Sequence, residues 1–176
     1  VDGILAGDDP LEGQMPAGRA FRLSAKLRYQ NMLKREQLQE VLTAAPQPGE
    51  SIHIVSNGKY DFWTWVPVMV SWIGRTDTLY CSTWTLSRAN AVELFEVYDA
   101  GLVAPGQIHF LTGLYFKRRE TAVYNYLLQG GAARGGRYSA FENHCKILLL
   151  SNAEAGVWLT VEGSANLNAN PRFEQY

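Results

Sequence analysis

Four residues of this chain have the types and spacing to act on one reaction: His144, Lys146, Ser164 and Asn166. His144-Cys145-Lys146 heads an apolar run, Ile147-Leu148-Leu149-Leu150, and Gly163-Ser164-Ala165-Asn166 closes a second, Val157-Trp158-Leu159-Thr160-Val161. Both runs read as strands. Side chains two apart on a strand share a face of the sheet, so an imidazole, an ammonium, a hydroxyl and a carboxamide can converge on one spot. A neutral imidazole is a good nucleophile near pH 7, and ammonium or carboxamide donors stabilise charge on phosphoryl oxygens. The chemistry this set suits is attack on a phosphodiester. His144 alone would read as a core histidine, and the Gly-Ser-x-Asn segment tilts it toward function. Lys146 in an apolar strand resists a structural explanation, because burying an unpaired ammonium is costly.

The rest of the chain must position these groups. Residues 1–20, rich in Gly, Asp and Pro, read as a flexible arm, and residues 21–176 as a single domain. Residues 24–44 carry a helical pattern ended by Pro46, Pro48 and Gly49. Residues 51–56 are β-rich. Residues 60–73 form an aromatic helix candidate in which Pro67 implies a kink or a late start. Residues 78–86 read as a strand, 87–100 as a helix with a serine N-cap, 107–116 as a strand and 118–128 as a helix. A glycine-rich loop follows at 130–136, then strands at 138–150 and 157–162. Alternating strands and helices imply an α/β fold with a mostly parallel sheet and helices on both faces. The last two strands, tightly joined, add an antiparallel hairpin, so the sheet is mixed.

Composition limits the function classes. The 176 residues are 47% hydrophobic and 12% aromatic, as a folded domain requires. A net charge of −1 gives no global attraction to polyanions, so any such site must be local. No apolar run reaches membrane-spanning length. Cys81 and Cys145 read as reduced, buried thiols of a cytoplasmic protein, and without a histidine-rich partner motif they do not suggest a metal site. No cofactor is implied. Arg134 and Arg137, in the glycine-rich loop just before the strand that leads to His144, are candidate substrate contacts. Lys117-Arg118-Arg119 reads first as a solvated face. The tryptophans 63, 65, 72 and 84 read first as core or interface, and His53 and His109 as packing residues.

His144-Cys145-Lys146 followed by Gly163-Ser164-Ala165-Asn166 resembles the phospholipase D superfamily, whose signature is His-x-Lys, a spaced aspartate and Gly-Ser-x-Asn. The segment Asn168-Ala169-Asn170-Pro171-Arg172-Phe173-Glu174 is similar to the stretch after the motif in that superfamily, and the likeness is greatest to small single-motif members from phages and mobile elements. The aspartate's position is taken by Ser151, and Glu162 or Glu174 is left to orient the histidine. The resemblance implies a phospholipase D-like fold and metal-independent phosphodiester cleavage through a covalent phosphohistidine, with a second histidine as the acid. This chain has one motif, so the resemblance implies a homodimer in which two copies of His144 and Lys146 meet at a two-fold axis. A nuclease is the first expectation, with nucleic acid as substrate. A phospholipid phosphodiesterase using the aromatic segment 60–72 as its interfacial surface is the second. A catalytically silent domain that binds nucleic acid is the third.

Overall fold

The computed structural model describes residues 25–56, 58–164 and 166–167. Five strands, β1 (Thr78–Thr83), β2 (Ile108–Gly113), β3 (Arg137–Phe141), β4 (Ile147–Asn152) and β5 (Val157–Glu162), form one sheet in the order β3-β2-β1-β4-β5. β1, β2 and β3 are mutually parallel, while β4 runs antiparallel to β1 and β5 antiparallel to β4. The helices are α1 (Ala25–Val41), α2 (Trp65–Ile73), α3 (Arg88–Asp99), α4 (Leu114–Arg119) and α5 (Thr121–Ala132). The mixed sheet with its C-terminal hairpin is as expected.

Alternation along the strands sets the two faces. Leu79, Cys81, Ile108, Phe110, Leu148, Leu150, Leu159 and Val161 point to one side and join the buried core with residues of α1, α2, α3 and α5. α2 is apolar almost all round because α1 lies on one side of it and β4 and β5 on the other. Asp61 starts it: its carboxylate accepts from the backbone N–H and the hydroxyl of Thr64 at 3.1 and 3.0 Å, capping a 3₁₀ turn (Phe62–Thr64) that leads into the helix. Pro67 then falls in the first turn, where its missing N–H is not needed. α3 opens on Ser87, whose hydroxyl accepts from the Asn90 N–H at 3.2 Å.

Four expectations need correction. Residues 138–150 are not one strand: β3 is an edge strand and β4 lies on the far side of β1. Residues 51–56 contribute no strand to the sheet. Helices do not cover both faces among the described residues, because the side opposite the core carries Tyr80, Leu111, Phe141 and Trp158, all more than a third exposed. Cys81 is buried on β1, but Cys145 is exposed and precedes β4. Both thiols are free, and burial pushes the Cys81 thiol well above its ordinary range.

A polar clasp docks α1. The buried Glu93 carboxylate of α3 accepts from Trp63 Nε1 at 2.7 Å and Asn31 Nδ2 at 2.8 Å and pairs with Arg35, while Lys34 reaches Asp61 at 2.7 Å. Burial raises the Glu93 pKa above its ordinary 4.5 despite the opposing pull of Arg35. The folded state thus holds the proton more tightly than the unfolded chain does. The stabilisation linked to that proton is full below pH 4.5 and is lost as pH rises through the folded value. Thermal melts of wild type and Glu93→Gln should therefore show a decline in relative stability above pH 4.5 in the wild type that is absent in the variant. Parallel pH curves would contradict this account.

Candidate functional site

β3 and β4 are separated by three ladder steps, about 14 Å. Residues 142–146 must cross that distance, and the six residue steps from Phe141 to Ile147 reach at most about 20 Å. With so little slack, the link has to run across the carboxyl ends of β2 and β1. In open α/β sheets this edge, where the strand order changes direction, is where ligands bind.

Asn143 fixes the crossing. Its Nδ2 donates to Ser82 Oγ at 2.8 Å on β1 and to Leu111 O at 3.4 Å on β2, and its Oδ1 accepts the Cys145 N–H at 2.9 Å. His144 is thereby held exposed above the edge of the sheet. Trp84, just past β1, packs against it with ring centroids 5.0 Å apart at 46°, and Tyr115 of α4 packs on Trp84 at 4.8 Å and 31°. Gly113 makes room for this. Its φ of −70° suits any residue, but a Cβ there would lie 2.5 Å from Trp84 Cδ1 and 2.9 Å from Trp84 O.

Lys146 is 8% exposed, and its Nζ donates to His144 O at 2.6 Å and meets His144 Nδ1 at 3.0 Å. The two side chains expected to converge do so, although from an extended link and not from within a strand. An ammonium at Nδ1 requires that nitrogen to accept, which in a neutral imidazole leaves the proton on Nε2.

The Gly163 N–H donates to Lys146 O at 3.1 Å, which brings the Gly-Ser-x-Asn segment to the same edge. Leu167 then anchors the segment beside β1: its O accepts from Ser87 N and Asn90 Nδ2, both at 2.9 Å, and its N–H reaches Thr83 Oγ1 at 3.3 Å. Between these anchors Ser164 is exposed, and the buried Oδ1 of Asn166 has no hydrogen-bond partner.

An open pocket of about 620 Å³ lies in front of His144. Trp84, Leu114, Tyr115, Arg118, Arg119, Glu142 and Asn143 form the rest of its lining. Arg118 and Arg119, read from sequence as a solvated face, thus stand on a pocket wall, and Trp84, read as core or interface, is in contact with the imidazole. Spacing along the chain carried no signal for either, because α4 and the end of β1 reach this place only through the sheet order.

The other candidates lie elsewhere. Arg134 is engaged by Asp99 through two bonds of 2.8 and 2.6 Å, donates to Gly130 O and stacks on Phe95 at 4.4 Å, which makes it a structural strut. Its hydrogen bonds to Asp99 raise its pKa further. Arg137 opens β3 beside His109, four residues and about 13 Å from the carboxyl edge. Burial and Arg137 together lower the pKa of His109, which stacks on Tyr80 at 4.5 Å. Ser151 pairs with Trp158 at the hairpin end of β4, about 16 Å along the strand from Lys146, so a side chain at this position does not touch the pocket. Glu162 ends β5 on the pocket's edge of the sheet, and Glu174 lies outside the described residues. Among the described residues no three His, Cys, Asp or Glu side chains are grouped to hold a metal, and no helix is long and apolar enough to cross a membrane. No known protein family matches the chain by sequence profile, and no curated protein matches it.

Two measurements probe this geometry. Gly113→Ala should destabilise the fold by about 1–3 kcal/mol through overpacking against Trp84, read by denaturant unfolding; a variant as stable as wild type contradicts the close approach. Native thiol labelling should modify one cysteine quickly, Cys145, and the second, Cys81, only on unfolding. Two equally fast thiols would refute the burial of Cys81.

Proposed function

We propose that the chain is a phospholipase D-like, metal-independent phosphodiesterase acting on nucleic acid, with His144 as nucleophile. The observation that carries this reading is the 3.0 Å contact between Lys146 Nζ and the Nδ1 of His144, whose imidazole lines a pocket with Arg118 and Arg119. A phosphodiester entering there meets an imidazole and two arginines against a single carboxylate, Glu142, with the nearly buried Lys146 bonded to the imidazole.

A phosphoryl oxygen draws Lys146 away from Nδ1, where the ammonium then offsets the charge that builds on that oxygen. Release of Nδ1 lets the imidazole carry its proton there and present a lone pair on Nε2. That lone pair attacks phosphorus, the P–O bond to the leaving oxygen breaks, and an acid supplies the proton that oxygen takes. Water then attacks the phosphohistidine, the group that served as acid, now deprotonated, takes its proton, and the P–N bond breaks. His53 and His109 cannot be the acid: His109 is stacked on Tyr80 on the open face of the sheet, and His53 lines a separate hollow with Trp65 and Met69. A second copy of the exposed His144, brought across a two-fold axis, supplies the acid in a homodimer with one shared site.

A second reading, a silent nucleic-acid-binding domain, draws on the same contact, since an imidazole whose Nδ1 takes a donor holds its Nε2 proton and is not yet a nucleophile. The phospholipid reading has less support: of the aromatic segment 60–72, Tyr60, Phe62, Trp63 and Trp65 are buried and Trp72 is partly buried. Labelled single- and double-stranded DNA and RNA incubated in excess EDTA should be cleaved by wild type and about a thousandfold more slowly by His144→Ala. Cleavage that EDTA abolishes, or that survives the His144 substitution, would overturn the mechanism. Binding without turnover would establish the silent domain.

A further inference from the structure

We infer that Tyr115 and Trp84 form a stacking platform for an unpaired base next to the phosphate held at His144, which makes single-stranded nucleic acid the ligand of this site. The inference rests on the phosphodiester reading above and specifies its substrate.

The rings form a continuous path. His144 packs on Trp84 at 5.0 Å and Trp84 on Tyr115 at 4.8 Å, and Tyr115, 48% exposed, presents the outer ring to the pocket. An exposed aromatic at the end of such a path accepts a flat π-face of any sequence. A base inside a duplex is stacked on its neighbours and cannot use it, so the platform selects unpaired strands. Arg118 and Arg119, on the same helix three and four residues after Tyr115, line the same pocket. Three and four residues along a helix is one turn, which puts both guanidinium groups on the side of the tyrosine. Phosphates on either side of a base stacked on Tyr115 therefore meet positive charge.

Charge also decides against the other ligand that aromatic walls attract, a quaternary ammonium headgroup. Such a cation would pair with Glu142 but face Arg118 and Arg119 across the pocket and Lys146 behind His144. The balance of charge is positive, and an anionic strand fits it.

Tyr115 is half exposed and outside the core, which Phe116 beside it joins, so its ring contributes little to folding beyond its contact with Trp84. It can therefore be substituted cleanly. Fluorescence anisotropy with the full chain should compare labelled oligothymidylate with an abasic strand of equal length, for wild type, Tyr115→Leu and Tyr115→Phe. Tyr115→Leu should bind oligothymidylate about tenfold more weakly and the abasic strand as well as wild type does, while Tyr115→Phe retains both affinities. Arg118→Ala and Arg119→Ala should each reduce the slope of log affinity against log salt by about 0.7 for either strand. Equal losses on both strands in Tyr115→Leu, or none on either, overturn the platform. Binding of phosphatidylcholine vesicles that is lost in Tyr115→Leu, with oligothymidylate unaffected, would overturn it in favour of a headgroup cage. Oligothymidylate bound in this Tyr115-dependent way but never cleaved would leave the platform standing and remove the phosphodiesterase reading.

Discussion

The hydrogen bonds of one amide, Asn143, hold together everything at the carboxyl edge of the sheet. The link it belongs to must cross two strands on a short tether, and its Nδ2 and Oδ1 tie that link to β1, to β2 and to its own next turn. A taut link pinned at its centre has few conformations left. His144 therefore reaches the pocket with its backbone already fixed, the entropy of ordering it having been lost in folding.

Lys146 shows how a charge can be kept inside such an edge. A nearly buried ammonium is tolerable only with close acceptors, and here the backbone carbonyl and the ring nitrogen of His144 serve. The lysine is thus a structural bolt that ties the imidazole to its own backbone carbonyl.

The sequence was most informative where chemistry is written locally. His144 and Lys146, two apart, meet in space, and the strand following them brings Gly163 back to Lys146. The serine cap of α3 and the antiparallel hairpin were legible for the same reason, since both depend on neighbours in the chain. What could not be read depends on sheet order. Residues 138–150 form an almost unbroken β-like stretch, and nothing in them announces that the chain leaves one edge and re-enters beyond β1. Arg134 looked free in a glycine-rich loop because its partner, Asp99, is 35 residues away. Trp84 looked like core because a tryptophan after an apolar strand usually is; its contact with His144 exists only because the link passes over Gly113, where a side chain would have blocked it. By count along the chain Ser151 fills a gap in the motif, but β4 carries its hydroxyl to the far end of the strand.

The anchoring of Leu167 has a consequence for how the protein is made. The contacts that fix Ser164 and Asn166 join residues 77 and 84 positions apart in the chain. Loop closure over such separations comes late, after helices and local hairpins have formed. On a ribosome, β1, β2 and β3 can pair well before Leu167 exists. The nascent chain would then carry the histidine, lysine and arginines without the segment that completes their surroundings. The clasp at Leu167 is thus the last part of this edge to form, after the residues that line the pocket, 84 to 144, are already in the chain.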